Sequence, residues 1–159
     1  MPATGIWQHC HEKHCVPRLK GQTKEEVISE LIDLLVGSGA LEDEMAPDLF
    51  GEIIAREEEG TTGIGKGVAM PHARNSQVVD ETLIAVGLHH DGVDFDSLDG
   101  GLVHLVFLIA SADPDEYLKV ARRVARVARD DIEMRALRRQ TTAKRIHRFL
   151  EEAWGGPAD

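Results

Sequence analysis

Near residue 60 the chain changes character. Gly60-Thr-Thr-Gly-Ile-Gly-Lys-Gly67 places four glycines in eight residues. Glycine loses the most backbone freedom on ordering, so this run excludes both a helix and a central strand. It separates two kinds of sequence. Before it, Thr23-Lys-Glu-Glu26 forms a capping-box pattern, followed by Val27, Leu31, Leu34 and Leu35 at helical spacing, with Ile28 and Ile32 widening the stripe. Gly37 and Gly39 end that helix, and a second is predicted from near Pro47 to about Glu59, with Leu49, Ile53 and Ile54 on its apolar face. After the glycines, Val68-Ala-Met-Pro-His72 reads as a short extended segment, because Pro71 pushes Met70 out of the helical region.

Residues 82–88 and 102–110 read as strands from their β-branched and apolar content, with turn signals at Asp91-Gly92 and Asp99-Gly-Gly101 between them. His89 and His90 then fall at a strand end, and His104 on the less buried face of its strand. Asp113-Pro-Asp-Glu116 opens a third helix whose apolar face is Tyr117, Val120, Val124 and Val127, with its arginines elsewhere. Residues 130–140 and 142–154 give two more helices, and Val16-Pro-Arg-Leu19 a short edge strand. Helix-rich ends around a strand-rich middle predict an α/β chain: a three-layer α/β/α sandwich, its mixed β-sheet flanked by helices on both faces. Its expected limits are an irregular lead-in over 1–14, one domain over 15–154 and a frayed tail over 155–159.

A length of 159 residues suffices for one well-buried core without metal or disulfides. Cys10 and Cys15 do not make a disulfide framework. No apolar run approaches a membrane span, and the N-terminus lacks the pattern of a secretory signal, so a cytoplasmic location is expected. The net charge of −10 argues against a general nucleic-acid binder. The charge is uneven: residues 119–148 carry 11 Lys/Arg against three acids, a local net of +8, and the remainder carries −18. A solvated helix surface accounts for the basic stretch, and an acidic partner or anion is the other reading.

The chemistry concentrates in Thr61–His72. A glycine-rich loop lets backbone amides approach an anion, and it leads to a histidine on a stiff segment behind Pro71. A neutral imidazole is a competent nucleophile near pH 7. The loop is neither a Walker A nor a Rossmann fingerprint, since both demand other spacings. No Gly-x-Ser-x-Gly elbow supports a hydrolase. His9-Cys-His-Glu-Lys-His-Cys15 gathers zinc-capable side chains, but in no standard metal-finger spacing; a surface tract without function is the preferred reading, and metal binding the lesser one.

The stretch Ala55-Arg56-Glu57 … Thr62-Gly-Ile-Gly-Lys-Gly-Val-Ala-Met-Pro-His-Ala-Arg74 resembles the active-site signature of the fructose/mannitol-type (type 2) enzyme IIA domains of the bacterial phosphoenolpyruvate:sugar phosphotransferase system, a group that includes nitrogen-regulatory IIA proteins. Thr23–Leu31 is similar to that family's first helix and Gly92–Ile109 to its central strands. The resemblance implies that His72 carries a phosphoryl group and that Arg56 neutralises its charge, with Thr61, Thr62 and Gly63 as further phosphoryl contacts. It implies an HPr-type donor, a IIB protein or a regulatory target as recipient, and no metal or other cofactor. The sequence departs from the family at Tyr117, where many members carry a second histidine beside the first. Tyrosine can donate a hydrogen bond there but holds no positive charge. The expected function is a phosphocarrier, with a nitrogen-regulatory role favoured over sugar uptake. The alternative is a non-catalytic regulatory module that binds a kinase or transporter.

Overall fold

The structure, a computed structural model, describes residues 9–154. The first eight residues of the expected lead-in and the expected tail at 155–159 lie outside the described residues. In chain order the elements are β1 (Cys15–Val16), α1 (Lys24–Gly37), α2 (Ala46–Glu59), β2 (Gly63–Gly65), β3 (Val68–Ala69), β4 (His72–Ala73), β5 (Leu83–Val93), β6 (Val103–Ala110), α3 (Pro114–Arg129), α4 (Asp131–Arg138) and α5 (Ala143–Trp154), with short 3-10 turns at Glu12–His14 and Asp43–Met45. The six strands form one mixed sheet in the order β1-β5-β6-β3-β2, with β4 also pairing β6. β5 runs antiparallel to β6, whereas β3 and β4 run parallel to it, one after the other.

The period-2 alternation of the two long strands divides the core. Ile84, Val86 and Leu88 of β5 and Leu105, Phe107 and Ile109 of β6 face α3, α4 and α5. Leu83 and Ala85, with Val106, Leu108 and Ala110, face α1 and α2. All are buried, so β6 is sandwiched on both sides and the three-layer α/β/α expectation holds.

Local signals act as read, with differences that have physical causes. Thr23 caps α1 through the Glu26 amide at 3.2 Å, but the Glu26 carboxylate reaches the amide of Gln22 rather than that of the cap. Asp113 caps α3 through the amide of Asp115 at 2.9 Å, while Glu116, three residues after the cap, meets the His9 ring at 3.0 Å. Arg123 was expected outside the apolar face of α3; it is buried, and its Nη1 donates to the carbonyl of Trp154 at 3.4 Å. β5 continues past the expected strand end through His89 and His90 to Val93, with a bulge between Leu88 and Val93 that absorbs the Asp91-Gly92 turn signal. The edge strand keeps only Cys15–Val16, because Pro17 has no amide for the ladder; Leu19 still reaches the Leu88 carbonyl at 2.8 Å.

Between β2 and β3, Lys66 and Gly67 have φ of 57° and 80°. A two-residue hairpin of type I′ needs positive φ at both central positions, which explains the end of the glycine run.

Candidate functional site

His72 opens β4, opposite Ile109 of β6. Pro71 fixes the backbone between Met70 and His72, and the ring folds back so that Nδ1 lies 2.9 Å from the Met70 carbonyl oxygen. A carbonyl only accepts, so Nδ1 carries the proton and Nε2 carries the lone pair. Burial pushes the His72 pKa below its ordinary value, the bond to Met70 opposes that shift, and the nearby charge of Arg56 lowers it further. The imidazole is therefore neutral at pH 7, with its nucleophilic nitrogen defined by the backbone.

His72 lines a cleft of about 620 Å³ together with Arg56, Arg74 and Tyr117, and with Glu52 and Glu59 from α2. Arg56 stands in the last turn of α2, where its Nη1 donates to the Gly60 carbonyl at 2.9 Å and closes the helix end. Tyr117 lies in the second turn of α3, its ring centroid 4.7 Å from that of His72 with 32° between the planes. Burial raises the Tyr117 pKa, so its hydroxyl remains a donor. The Arg74 guanidinium lies 5.8 Å from the centroid of the Tyr117 ring. Two guanidiniums and one phenol thus surround one neutral imidazole.

His72, Arg56 and Tyr117 come together as the sequence predicts. Thr61, Thr62 and Gly63 do not join them among the residues lining the cleft. The Thr61 hydroxyl donates to the Phe95 carbonyl and accepts from the Gly63 amide at 2.9 Å. The Thr62 hydroxyl and amide both donate to the buried Glu57 carboxylate. Their donors are spent on holding the loop against α2 and residue 95. Gly63 serves close packing: a Cβ there would meet Ser97 Oγ at 2.3 Å. The Gly65–Gly67 turn pairs with the start of β6 rather than its end, about 13 Å from His72 at 3.3 Å per residue. Its Lys66 amide is taken by Asp99 Oδ2 at 3.0 Å.

Two residues in this region had no assigned role in the sequence reading. Arg74 follows His72 by two, the spacing that puts side chains on the same side of an extended segment, and that was the available signal. Glu57 gave none beyond its place next to Arg56; only the fold reveals a buried carboxylate bonded to Thr62 and 3.7 Å from Lys24 Nζ. In the His9–Cys15 tract, Cys10, His14 and Cys15 are buried, so it is not a surface tract throughout. No group of three or more His, Cys, Asp or Glu side chains placed to hold a metal occurs among the described residues.

Residues 8–153 match the family described as Phosphoenolpyruvate-dependent sugar phosphotransferase system, EIIA 2. The chain belongs to this family. It is 34% identical over 140 residues to a nitrogen regulatory protein of Pseudomonas aeruginosa, covering 86% of this chain and 88% of that one. It is 42% identical over 103 residues to the fructose-specific EIIABC component of Bacillus subtilis, covering 64% of this chain and 16% of that much longer one. Its fold matches the crystal structure of nitrogen regulatory protein IIA-Ntr from Neisseria meningitidis with a TM-score of 0.77 at 24% identity, over 91% of this chain and 98% of that one. As an EIIA domain it is of the phosphotransfer-carrier type. No helix among the described residues is long and apolar enough to cross a membrane.

Proposed function

We propose that this EIIA domain carries its phosphoryl group on Nε2 of His72. The observation that supports this most directly is the Nδ1–Met70 carbonyl contact at 2.9 Å, which leaves Nε2 as the unprotonated ring nitrogen in a cleft with two guanidiniums. The donor is an HPr-type phosphohistidine. The Nε2 lone pair attacks phosphorus while the donor's P–N bond breaks and returns its electrons to the donor imidazole. Charge spreads over the equatorial oxygens of a loose transition state, where Arg56 and Arg74 neutralise it and Tyr117 donates a hydrogen bond. The phosphoramidate remains activated, so the next transfer, to a Cys or His of a IIB protein, needs no metal.

The same charge change serves as a regulatory state, and the nitrogen-regulatory reading is preferred because the likeness to such a protein extends over 88% of its length. Such carriage takes place in the cytoplasm. The test is incubation with phosphoenolpyruvate, enzyme I and an HPr-type carrier, read by intact mass. The expected result is a gain of one acid-labile phosphoryl group, absent from a folded His72→Ala variant. Undiminished uptake by that variant, or no uptake by the parent chain, would overturn the proposal.

A further inference from the structure

At the other end of the β5–β6 pair, a second cleft of about 640 Å³ opens beside Leu88 and His104. Leu88 pairs with Leu105, whereas His72 pairs with Ile109, so the two clefts are about four residues, or 13 Å, apart along β6. The second cleft is lined by Arg18, in the segment after β1, by Arg135 and Arg138 of α4, and by Arg139 just beyond that helix. No carboxylate lines it. This concentrates part of the basic stretch seen in the sequence, and it does so in a concavity rather than over an even helix surface.

The pairing state of these arginines is the unexpected feature. The chain carries 28 acidic and 18 basic residues, so counter-charges are abundant. None of the four guanidiniums makes an ion pair or side-chain hydrogen bond with another described residue. Like charges converging without counter-charges repel one another, and an anion relieves that repulsion. Guanidiniums bind phosphoryl oxygens through paired N–H donors, and four of them lining one cleft suit more than one phosphoryl group. The volume lies within the range of small-ligand sites.

We infer that this cleft, lined by Arg18, Arg135, Arg138 and Arg139, is a second binding site that takes a small molecule bearing two or more phosphoryl groups. The site is independent of phosphoryl transfer at His72. An acidic protein surface would satisfy the same charges, but charges gathered in a cleft of this volume favour a compact ligand over a broad face.

Calorimetric titration of the full chain with inorganic tripolyphosphate, metal-free and at low salt, tests the inference. Saturable binding of one tripolyphosphate per chain is expected. Arg138→Glu/Arg139→Glu should weaken it by about tenfold or more, and Arg18→Ala, from the segment after β1, by about threefold. These positions are exposed, so the variants should melt like the parent chain. His72→Ala should bind as the parent does. Equal binding by the arginine variants, loss of binding in His72→Ala, or tighter binding of poly-glutamate than of tripolyphosphate would overturn the inference. The last result would assign the cleft to an acidic protein partner.

Discussion

The ring of Tyr117 stacks on that of His72, their centroids 4.7 Å apart and their planes 32° from parallel. The resemblance puts Tyr117 where many members carry a second histidine, and a phenol there cannot hold the positive charge an imidazole can. A phenol still offers one hydrogen bond. Tyr117→Phe should retain the stacking, fold normally and slow phosphoryl transfer modestly, by no more than the ~1.5–3 kcal/mol of one charge-assisted hydrogen bond. Tyr117→His should raise the transfer rate or change partner preference. Rapid-quench transfer from the phosphorylated carrier checks both, and a Phe variant with the parent's rate would remove the hydroxyl from the mechanism.

On the proposed function, the Met70 carbonyl should set the position of phosphorylation. With Nδ1–H committed to that oxygen at 2.9 Å, the phosphoramidate should form at Nε2. Nitrogen chemical shifts of ¹⁵N-histidine-labelled protein distinguish the two isomers, and a shift pattern of Nδ1 phosphorylation would contradict the assignment. Because burial holds the His72 pKa below its ordinary value, its protonation on acidification is delayed. The acceptance rate should therefore hold to a lower pH on acidification than that of a free imidazole before it falls.

The strands that frame His72 were legible in the sequence because β5 and β6 are apolar on both faces and Pro71 marks the approach to the histidine. Tyr117 was legible as well, through the Asp113-Pro114 helix start. The roles of Thr61, Thr62 and Gly63 were not. A glycine-rich loop beside a histidine fits an anion cradle and a close-packed hairpin equally well, and only the partners of its amides distinguish the two. Here those partners are Glu57, on a helix whose periodicity does not single it out, the neighbouring Thr61 hydroxyl, and Asp99, 33 residues beyond Lys66. The burial of Cys10 and His14 was equally invisible, since it depends on the 3-10 turn at 12–14 and on contacts with residues such as Ser38.

Arg56 should act on the transition state more than on binding. Its Nη1 closes the end of α2 on Gly60, and the remaining N–H groups of the guanidinium are available to phosphoryl oxygens. Arg56→Ala should slow transfer by about 10²-fold, the scale of one lost charge-stabilising donor, while weakening carrier binding much less. Arg56→Lys should recover only part of the rate, because an ammonium cannot make the paired contact. Single-turnover rates against carrier concentration separate the two effects, and an unchanged limiting rate in Arg56→Ala would reject the role.

Glu57 should prove structural. Its carboxylate is buried, accepts from the Thr62 amide at 2.9 Å and from the Thr62 hydroxyl, and lies 3.7 Å from Lys24 Nζ. Glu57→Ala strands those donors and a lysine, and should cost about 3–5 kcal/mol. Glu57→Gln keeps one acceptor oxygen and should cost less. Urea denaturation measures both, and a Glu57→Ala midpoint within error of the parent's would show that the loop is held by other contacts.

His14 should make stability fall in mild acid. Its Nε2 lies 2.9 Å from Ser38 Oγ, whose own proton goes to the Leu35 carbonyl, so the ring nitrogen donates to the hydroxyl. Burial, with His11 beside it, lowers its pKa from 6.5 to about 4. The unfolded chain therefore binds a proton near pH 6.5 that the folded chain refuses until about pH 4. Between those values the unfolded state holds more protons, so stability rises with pH and is lost as pH falls. A shift of this size corresponds to about 3 kcal/mol across the window. His72, also lowered, adds a contribution of the same sign. The informative measurement is thus the difference between the parent and His14→Gln in urea midpoints at pH 7.5, 6, 5 and 4.5. The variant should lose stability at pH 7.5, where the neutral imidazole fits its site, and should then show a shallower decline on acidification. Parallel profiles would mean that His14 does not titrate in this window, and the acid sensitivity would have to reside in other groups.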